Sequence, residues 1–258
     1  MMLGKESIRK ISNMGSKSHT LFHFTDSTET LVKILRTGFW PRYCLEDFRW
    51  YNEQLGYVAY PLVSFCDIPL TRIKNHVNFY GGFGFGMSRD WAIRAGLNPV
   101  IYLSENSALR YSILNLAQPE CFVHPAQVPK FIDHLFELLA LIKPSNGKMM
   151  RSGGGEADKD FYLENEWRFT PTLAQGRKCI PVQKFEVEQD AYNKHTFDNC
   201  LLRFDIKDIS YVIVQEEADR IVFLNILNQM EVDGEYDSAQ LQNLRSSVIS
   251  LERIEKDF

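Results

Sequence analysis

The sequence has no long uninterrupted apolar run, no Cys-x-x-Cys pair, no internal repeat and no excess of positive charge. The first absence removes a membrane-spanning helix, which needs roughly 18 or more apolar residues. The second concerns Cys44, Cys66, Cys121, Cys179 and Cys200, an odd total of 5. It argues against a zinc ribbon or a disulfide framework and for free thiols in a reducing compartment. A formal net charge of -4 and a pI near 5.9 argue against a general nucleic-acid coat. Such binding rests on dense Lys and Arg contacts with phosphate. The opening residues, MMLGKESIRKISNMGSKSH, are basic and polar with no apolar stretch, so no secretory signal is expected. A cytoplasmic protein with no membrane contact is the expectation.

What the chain does have is apolar and aromatic material. Of its 258 residues 45% are hydrophobic and 13% aromatic, which supplies a substantial core and excludes a disordered chain. Thr20–Thr25 (TLFHFT) has the composition of a short buried strand. Asp26-x-x-Glu29 reads as a capping box opening a helix whose apolar face is Leu31, Ile34 and Leu35, with Gly38 at its C-terminal cap. Residues 39–59 carry mixed aromatics and charges and read as an ordered loop. Strands are expected at Leu62–Cys66, Pro99–Leu103, from Glu166, and near 179–187, 200–205 and 210–215. Helices are expected over Leu70–Tyr80, 104–118, 126–142 and 217–230, and through Leu241, Leu244, Val248, Leu251 and Ile254. Strands mixed irregularly with helices predict an α+β fold with a mixed, mostly antiparallel sheet and peripheral helices. The expected organisation is a flexible arm over 1–17 and a single domain over 18–258. That domain would carry a helical insertion at about 104–142 and a glycine-rich mobile loop at 143–160.

Four places carry residues suited to chemistry. His23 and Thr25 lie two apart on a strand and so share a face. They could hold sugar hydroxyls, or His23 could be a core histidine bonded to backbone. In PLVSFCDIP, Ser64 and Cys66 share one face and Phe65 takes the other. His76 and Tyr80 lie four apart on a helix, and Tyr80 could stack on a planar ring or simply fill the core. No third ligand accompanies them, so no metal site is expected. Gly81-Gly82-x-Gly84-x-Gly86 lacks the ending of a phosphate loop, but allows close backbone approach. Finally, Glu164, Glu166 and Arg168 would alternate onto one strand face. They could form a plain ion pair, or a carboxylate fixed beside a sugar cation. Trp40, Tyr43, Phe48, Trp50 and Tyr51 could anchor an interface or form a satellite core.

The segments LFHFT, TLVKILRTGFWPRYC, PLVSFCDIP, HVNFYGGFGFGMSRDW and NPVIYL, with ENEWRF further on, resemble the abortive phage-resistance family AbiGi over about residues 19–104. The resemblance implies a phage-defence protein, an antitoxin paired with a nucleotidyltransferase-like toxin. The partner would be a cognate toxin or antitoxin, or a phage-derived protein. A more distant resemblance is to ADP-ribosyltransferases of the His-Tyr-Glu type, through His23-Phe24-Thr25, SFCD with a helix ending in Tyr80, and Glu164-Asn165-Glu166. It implies an ADP-ribosyltransferase-like fold and NAD as substrate. Glu166, His23 and Tyr80 would be catalytic; Thr25, Ser64, Phe65, His76, Glu164 and Arg168 would line the NAD site. The acceptor would be protein or nucleic acid. Phe24 stands where that family has glycine, and the helix could present His76 instead of Tyr80.

Overall fold

A computed structural model describes residues 19–116, 128–150, 155–173 and 178–257. The expected arm at 1–17 lies outside them, as does Cys121. The elements in chain order are β1 (Thr20–Thr25), α1 (Thr28–Thr37), β2 (Arg42–Asp47), β3 (Tyr57–Cys66), α2 (Lys74–Tyr80), β4 (Phe83–Ser88), α3 (Arg89–Arg94), β5 (Asn98–Pro99) and β6 (Ile101–Leu103). Then come α4 (Ala108–Asn115), α5 (Val128–Leu139), β7 (Ile142–Pro144), β8 (Asn146–Met150), β9 (Glu156–Asp160), β10 (Glu166–Phe169) and β11 (Ile180–Pro181). The last are α6 (Val182–Asn199), β12 (Ile209–Val214), α7 (Glu217–Val232), α8 (Ser238–Ser246), β13 (Val248–Ser250) and α9 (Leu251–Asp257).

The fold is α+β. Nine strands form one sheet in the order β13-β12-β4-β1-β3-β10-β5, with β2 and β11 also on β3. All its pairs are antiparallel except β12 with β13. The ten-residue β3 is the hub. Its first half pairs β2, from Asp47↔Tyr57 to Arg42↔Leu62, and its second half pairs β10, from Phe169↔Val63 to Glu166↔Cys66. Pro61 has no N–H to give a ladder. It is accommodated because β11 stops at Ala59 and β10 starts at Val63, so Pro61 falls in the gap between them.

One sheet face buries Leu21, Phe65, Phe85 and Met87 under α1, α3, α7 and α8, through Leu31, Trp91, Phe223, Leu227, Leu241 and Leu244. The other face packs Phe22, Phe24, Cys66 and Ile213 against Ile73, Leu251 and Ile254. The helical insertion is its own cluster. Ile113 of α4 with Leu135 and Leu139 of α5 covers Val58, Tyr60 and Leu62, and a parallel β6–β7 pair closes it. The aromatics at 39–60 belong to the core: Phe48 and Tyr43 are buried, and Trp50 and Tyr51 pack against that second cluster. Tyr43 sits in β2, whose outer edge is covered by α6. Asn193 Oδ1 accepts the Tyr43 N–H at 2.9 Å.

Several sequence expectations are corrected. Residues 39–59 hold β2 and the start of β3 rather than a loop, because Tyr43, Val58 and Tyr60 find buried neighbours on β3 and the helices. The first helix is capped by Ser27, which accepts from the Thr30 N–H, and not by Asp26. The glycine-rich stretch at 143–160 is mostly regular: β7 is followed by a β8–β9 hairpin, Asn146↔Asp160 to Met150↔Glu156, with 151–154 outside the described residues. Residues 182–199 are helical with a kink at Glu188, and Phe185 before it and Asn193 after it both pack onto β2. The strand expected at 200–205 is reduced to one bridge, Leu202 with Phe39. The expected last helix is broken by β13, where Val248 and Ser250 pair with β12.

Gly81 turns the chain from α2 into β4 at φ +108, where a Cβ would lie 2.2 Å from the Thr25 carbonyl oxygen. Gly81→Ala is expected to destabilise the protein by more than about 2 kcal/mol, through both backbone strain and clash. Gly96→Ala, also at positive φ but with nothing within 4 Å, should cost only about 1 kcal/mol. Urea denaturation of the two variants checks the contrast.

Candidate functional site

β1 meets β3 at a single register pair, Phe22↔Cys66, and the ladder stops there. A cleft of about 860 Å³ opens beside this break. It is lined by Phe22–Thr25 of β1, Leu62–Cys66 of β3, His76 and Tyr80 of α2, and by Glu46, Lys143, Met149, Glu164 and Glu166. Small-molecule sites occupy roughly 300–1,000 Å³, so the size suits a nucleotide-sized ligand or a partner's inserted side chains.

Register decides which residues face one another. Glu166 pairs with Cys66 and Arg168 with Ser64, so these four share a face with Phe22. His23, one residue further along β1, points to the opposite face. Its ring packs against Phe39 at 5.1 Å and Phe65 at 5.5 Å. Its Nδ1 lies 2.9 Å from the Ser64 carbonyl oxygen, which can only accept, so Nδ1 carries the hydrogen. Burial pushes the His23 pKa down, against the pull of that carbonyl. His23 thus holds the split open as a neutral ring, and reaches Glu166 only through Ser64. Thr25 lines the cleft mouth and gives its hydroxyl to Asp26 at 3.3 Å.

The opposite face carries a buried charge network. Glu166 Oε1 accepts from Ser64 Oγ at 2.5 Å and from Arg168 Nε at 2.8 Å. Oε2 takes Lys143 Nζ at 2.9 Å and an Arg168 terminal nitrogen at 3.2 Å. Arg168, 1% exposed, also donates to Glu46 at 2.8 Å and to the Ala140 carbonyl at 2.6 Å. The backbone N–H of Glu166 donates to the Tyr102 hydroxyl at 2.8 Å. Burial alone would raise the Glu166 pKa, but Arg168 and Lys143, with hydrogen bonds from Arg168 and Ser64, hold it well below the usual carboxylate range. Burial likewise opposes the Lys143 ammonium, and Glu166 and Glu46 outweigh it.

A second branch runs through Tyr80. Its hydroxyl donates to Glu164 and accepts from Lys159 Nζ at 2.8 Å, while Lys159 pairs with Glu164 at 2.5 Å. Glu164 reaches this place from a 3-10 turn, Phe161–Glu164, and not from the strand expected of it. Asn165 at φ 43 reverses the chain between the two glutamates, which is why both point inward. His76 stacks on Tyr80 at 4.4 Å, and burial, with the charge of Lys159, pushes its pKa down to about 4. Burial and Glu164 push the Tyr80 hydroxyl up, so it stays protonated.

The structure therefore joins Ser64, Tyr80, Glu164, Glu166 and Arg168 in one network and sets His23 and Phe65 behind the sheet. Sequence reasoning missed Glu46, Lys143 and Lys159. The signal available for Lys143 was a charge at the end of the apolar run 138–142, and Glu46 and Lys159 had none. Among the described residues no group of three or more His, Cys, Asp or Glu is placed to hold a metal, and no helix is long and apolar enough to cross a membrane.

Residues 37–215 match the sequence model of a family described as abortive phage resistance protein AbiGi, antitoxin. The chain is 26% identical over 248 residues to the abortive phage resistance protein AbiGi of Lactococcus lactis subsp. cremoris, an alignment covering 86% of this chain and 100% of that protein. No solved structure matches. The matched family span contains Glu46, Tyr80, Lys143, Lys159, Glu164, Glu166 and Arg168, and leaves out His23 and Thr25.

Arg168→Ala should cost about 3–5 kcal/mol, because it leaves buried Glu166 and half-buried Glu46 to share the one ammonium of Lys143; equilibrium denaturation reads this directly. Stability should also fall with acid. Between pH 6.5 and about 4 the unfolded chain protonates His76 while the folded chain does not, so the folded state loses ground across that window. His23 shifts the same way. The contribution of Glu166 is present above 4.5 and is lost as pH falls below it. Urea midpoints measured from pH 7 to 4 should decline, and His76→Phe should flatten the upper part of the decline.

Proposed function

We propose that this chain, which belongs to the AbiGi family of abortive phage resistance proteins, works in phage defence as an antitoxin that binds a toxin, rather than as a catalyst. The observation that carries the reading is the saturation of Glu166. An ionised carboxylate offers about four lone-pair positions. Ser64 Oγ, Arg168 Nε, Lys143 Nζ and an Arg168 terminal nitrogen take all four. A carboxylate that stabilises a sugar cation or takes a proton needs an oxygen facing the substrate. The pairing of Tyr80 with Glu164 and Lys159 removes the second polar group in the same way. The cleft is then a recognition surface. Its partner is a toxin, of the nucleotidyltransferase class that the family resemblance implies.

A second reading, an ADP-ribosyltransferase-type effector using NAD, is favoured by one observation: the cleft of about 860 Å³ is lined by His23, Thr25, Tyr80 and Glu166 in that chain order. It requires Ser64 or Lys143 to release Glu166 when NAD enters. The acceptor would be protein or nucleic acid.

Expression of the chain alone separates the two. The antitoxin reading expects unimpaired growth, no NAD consumption at millimolar NAD, and rescue of cells producing the cognate toxin. Growth arrest relieved by Glu166→Gln, with NAD binding lost in His23→Ala, would replace it with the transferase reading.

A further inference from the structure

The β8–β9 hairpin is a separate two-stranded sheet that shares no ladder with the nine-stranded one. It delivers one cation, Lys159, to Tyr80 and Glu164 on the wall of the cleft. The Lys159 ammonium sits 3.8 Å from the Phe79 ring centre and 4.3 Å from that of Tyr80. It lies 2.5 Å from Glu164 and 2.8 Å from the Tyr80 oxygen. Two aromatic faces and a buried carboxylate around one ammonium are the components by which proteins recognise alkylammonium ions.

The charge balance shows what this seat needs. Glu46, Glu164 and Glu166 face Lys143, Arg168 and Lys159. Lys143 and Arg168 are buried within the domain core, on β7 and β10. Only Lys159 comes from the hairpin. Without it the recess holds three anions against two cations, and Glu164, 5% exposed, keeps the Tyr80 hydroxyl and, of the cations, Lys143 alone at 3.8 Å. A buried carboxylate in that state draws a cation in. The hairpin is tied back by Glu156, whose partners are Arg49, just past the end of β2, at 2.8 Å and Tyr57, the first residue of β3, at 2.7 Å. These contacts are solvent-accessible, and exposed ion pairs contribute little.

We propose that Phe79, Tyr80 and Glu164 form a receptor for an alkylammonium ion, and that Lys159 fills it from within the same chain as a displaceable occupant. The ligand chemistry is a protonated or quaternary amine on an alkyl stem, carried by a free amine or by a lysine of a partner protein. The inference holds whether or not the partner is a toxin.

The test uses Lys159→Gln in the full chain, melted with and without butyltrimethylammonium, butylammonium, acetyl-lysine-methylamide, and neutral 3,3-dimethylhexane-1-ol as an uncharged control. The cations should raise Tm by roughly 2–4 °C at saturation, and the control should not. The lysine amide outperforming butylammonium assigns a protein source, and the reverse assigns a free amine. Adding Tyr80→Leu should abolish the cation effect. Equal shifts from the neutral control, no shift in a variant that still melts cooperatively, or shifts indifferent to Tyr80→Leu would overturn the proposal. If Lys159→Gln does not fold, the wild-type chain carries the test. The Lys159 Cε proton resonance should lie upfield under the two rings, and should move to its solvated position on titration with butyltrimethylammonium but not with sodium at equal ionic strength. An unmoved resonance overturns the proposal equally.

Discussion

The contact between Glu166 and Arg168, two positions apart on one strand and both nearly sealed from water, sets the terms for the rest of the site. Ions of opposite sign removed from solvent are tolerable only when each is compensated and hydrogen-bonded. That requirement recruits Glu46 from β2, Lys143 from β7, the hydroxyl of Ser64 and the carbonyl of Ala140. Elements far apart in sequence are held together by the need to neutralise one pair. The helical insertion is part of this arrangement, because Ala140 follows directly on α5 and Lys143 lies in β7, the strand that comes next. What looks like an appendage in the chain order is a supplier of two partners to β10.

The same constraint explains why a set of residues in a familiar order need not be a catalytic set. The interval from His23 to Tyr80 to Glu166 is consistent with sugar chemistry when read along the sequence. In space, a one-residue difference in register puts the imidazole behind the sheet and the carboxylate in front of it. Ser64 links them, with its carbonyl taken by one and its hydroxyl by the other. A single residue therefore couples the state of the split between β1 and β3 to the state of the charge network.

Local signals carried much of the fold. The strand at Thr20–Thr25, the helix from Glu217 and the C-terminal cap at Gly38 follow from composition and capping chemistry over a few residues. Legibility failed where tertiary contacts outweighed local pattern. Residues 182–199 have strong strand formers at their start, yet Phe185 and Asn193 pack onto β2 from a helix kinked at Glu188. The periodic apolar positions from Leu241 to Ile254 read as one helix, but Val248 was needed beside Val212. At the site, Glu164, Glu166 and Arg168 were visible because they cluster in sequence. Glu46, Lys143 and Lys159 were not, because a lone charge beside apolar residues does not say which distant ion it will meet.

The sheet has few places where another backbone could add. At one end of its main path β13 spans three residues and runs straight into α9; at the other, β5 has two residues, one of them Pro99, which has no amide hydrogen. The six-residue edge of β2 lies under α6, with Asn193 occupying the outward amide of Tyr43. Strand exchange and edge-to-edge polymerisation are thereby closed off along these borders. Along these borders a molecule engaging this protein meets side chains and short, capped strands, not a ladder it can extend.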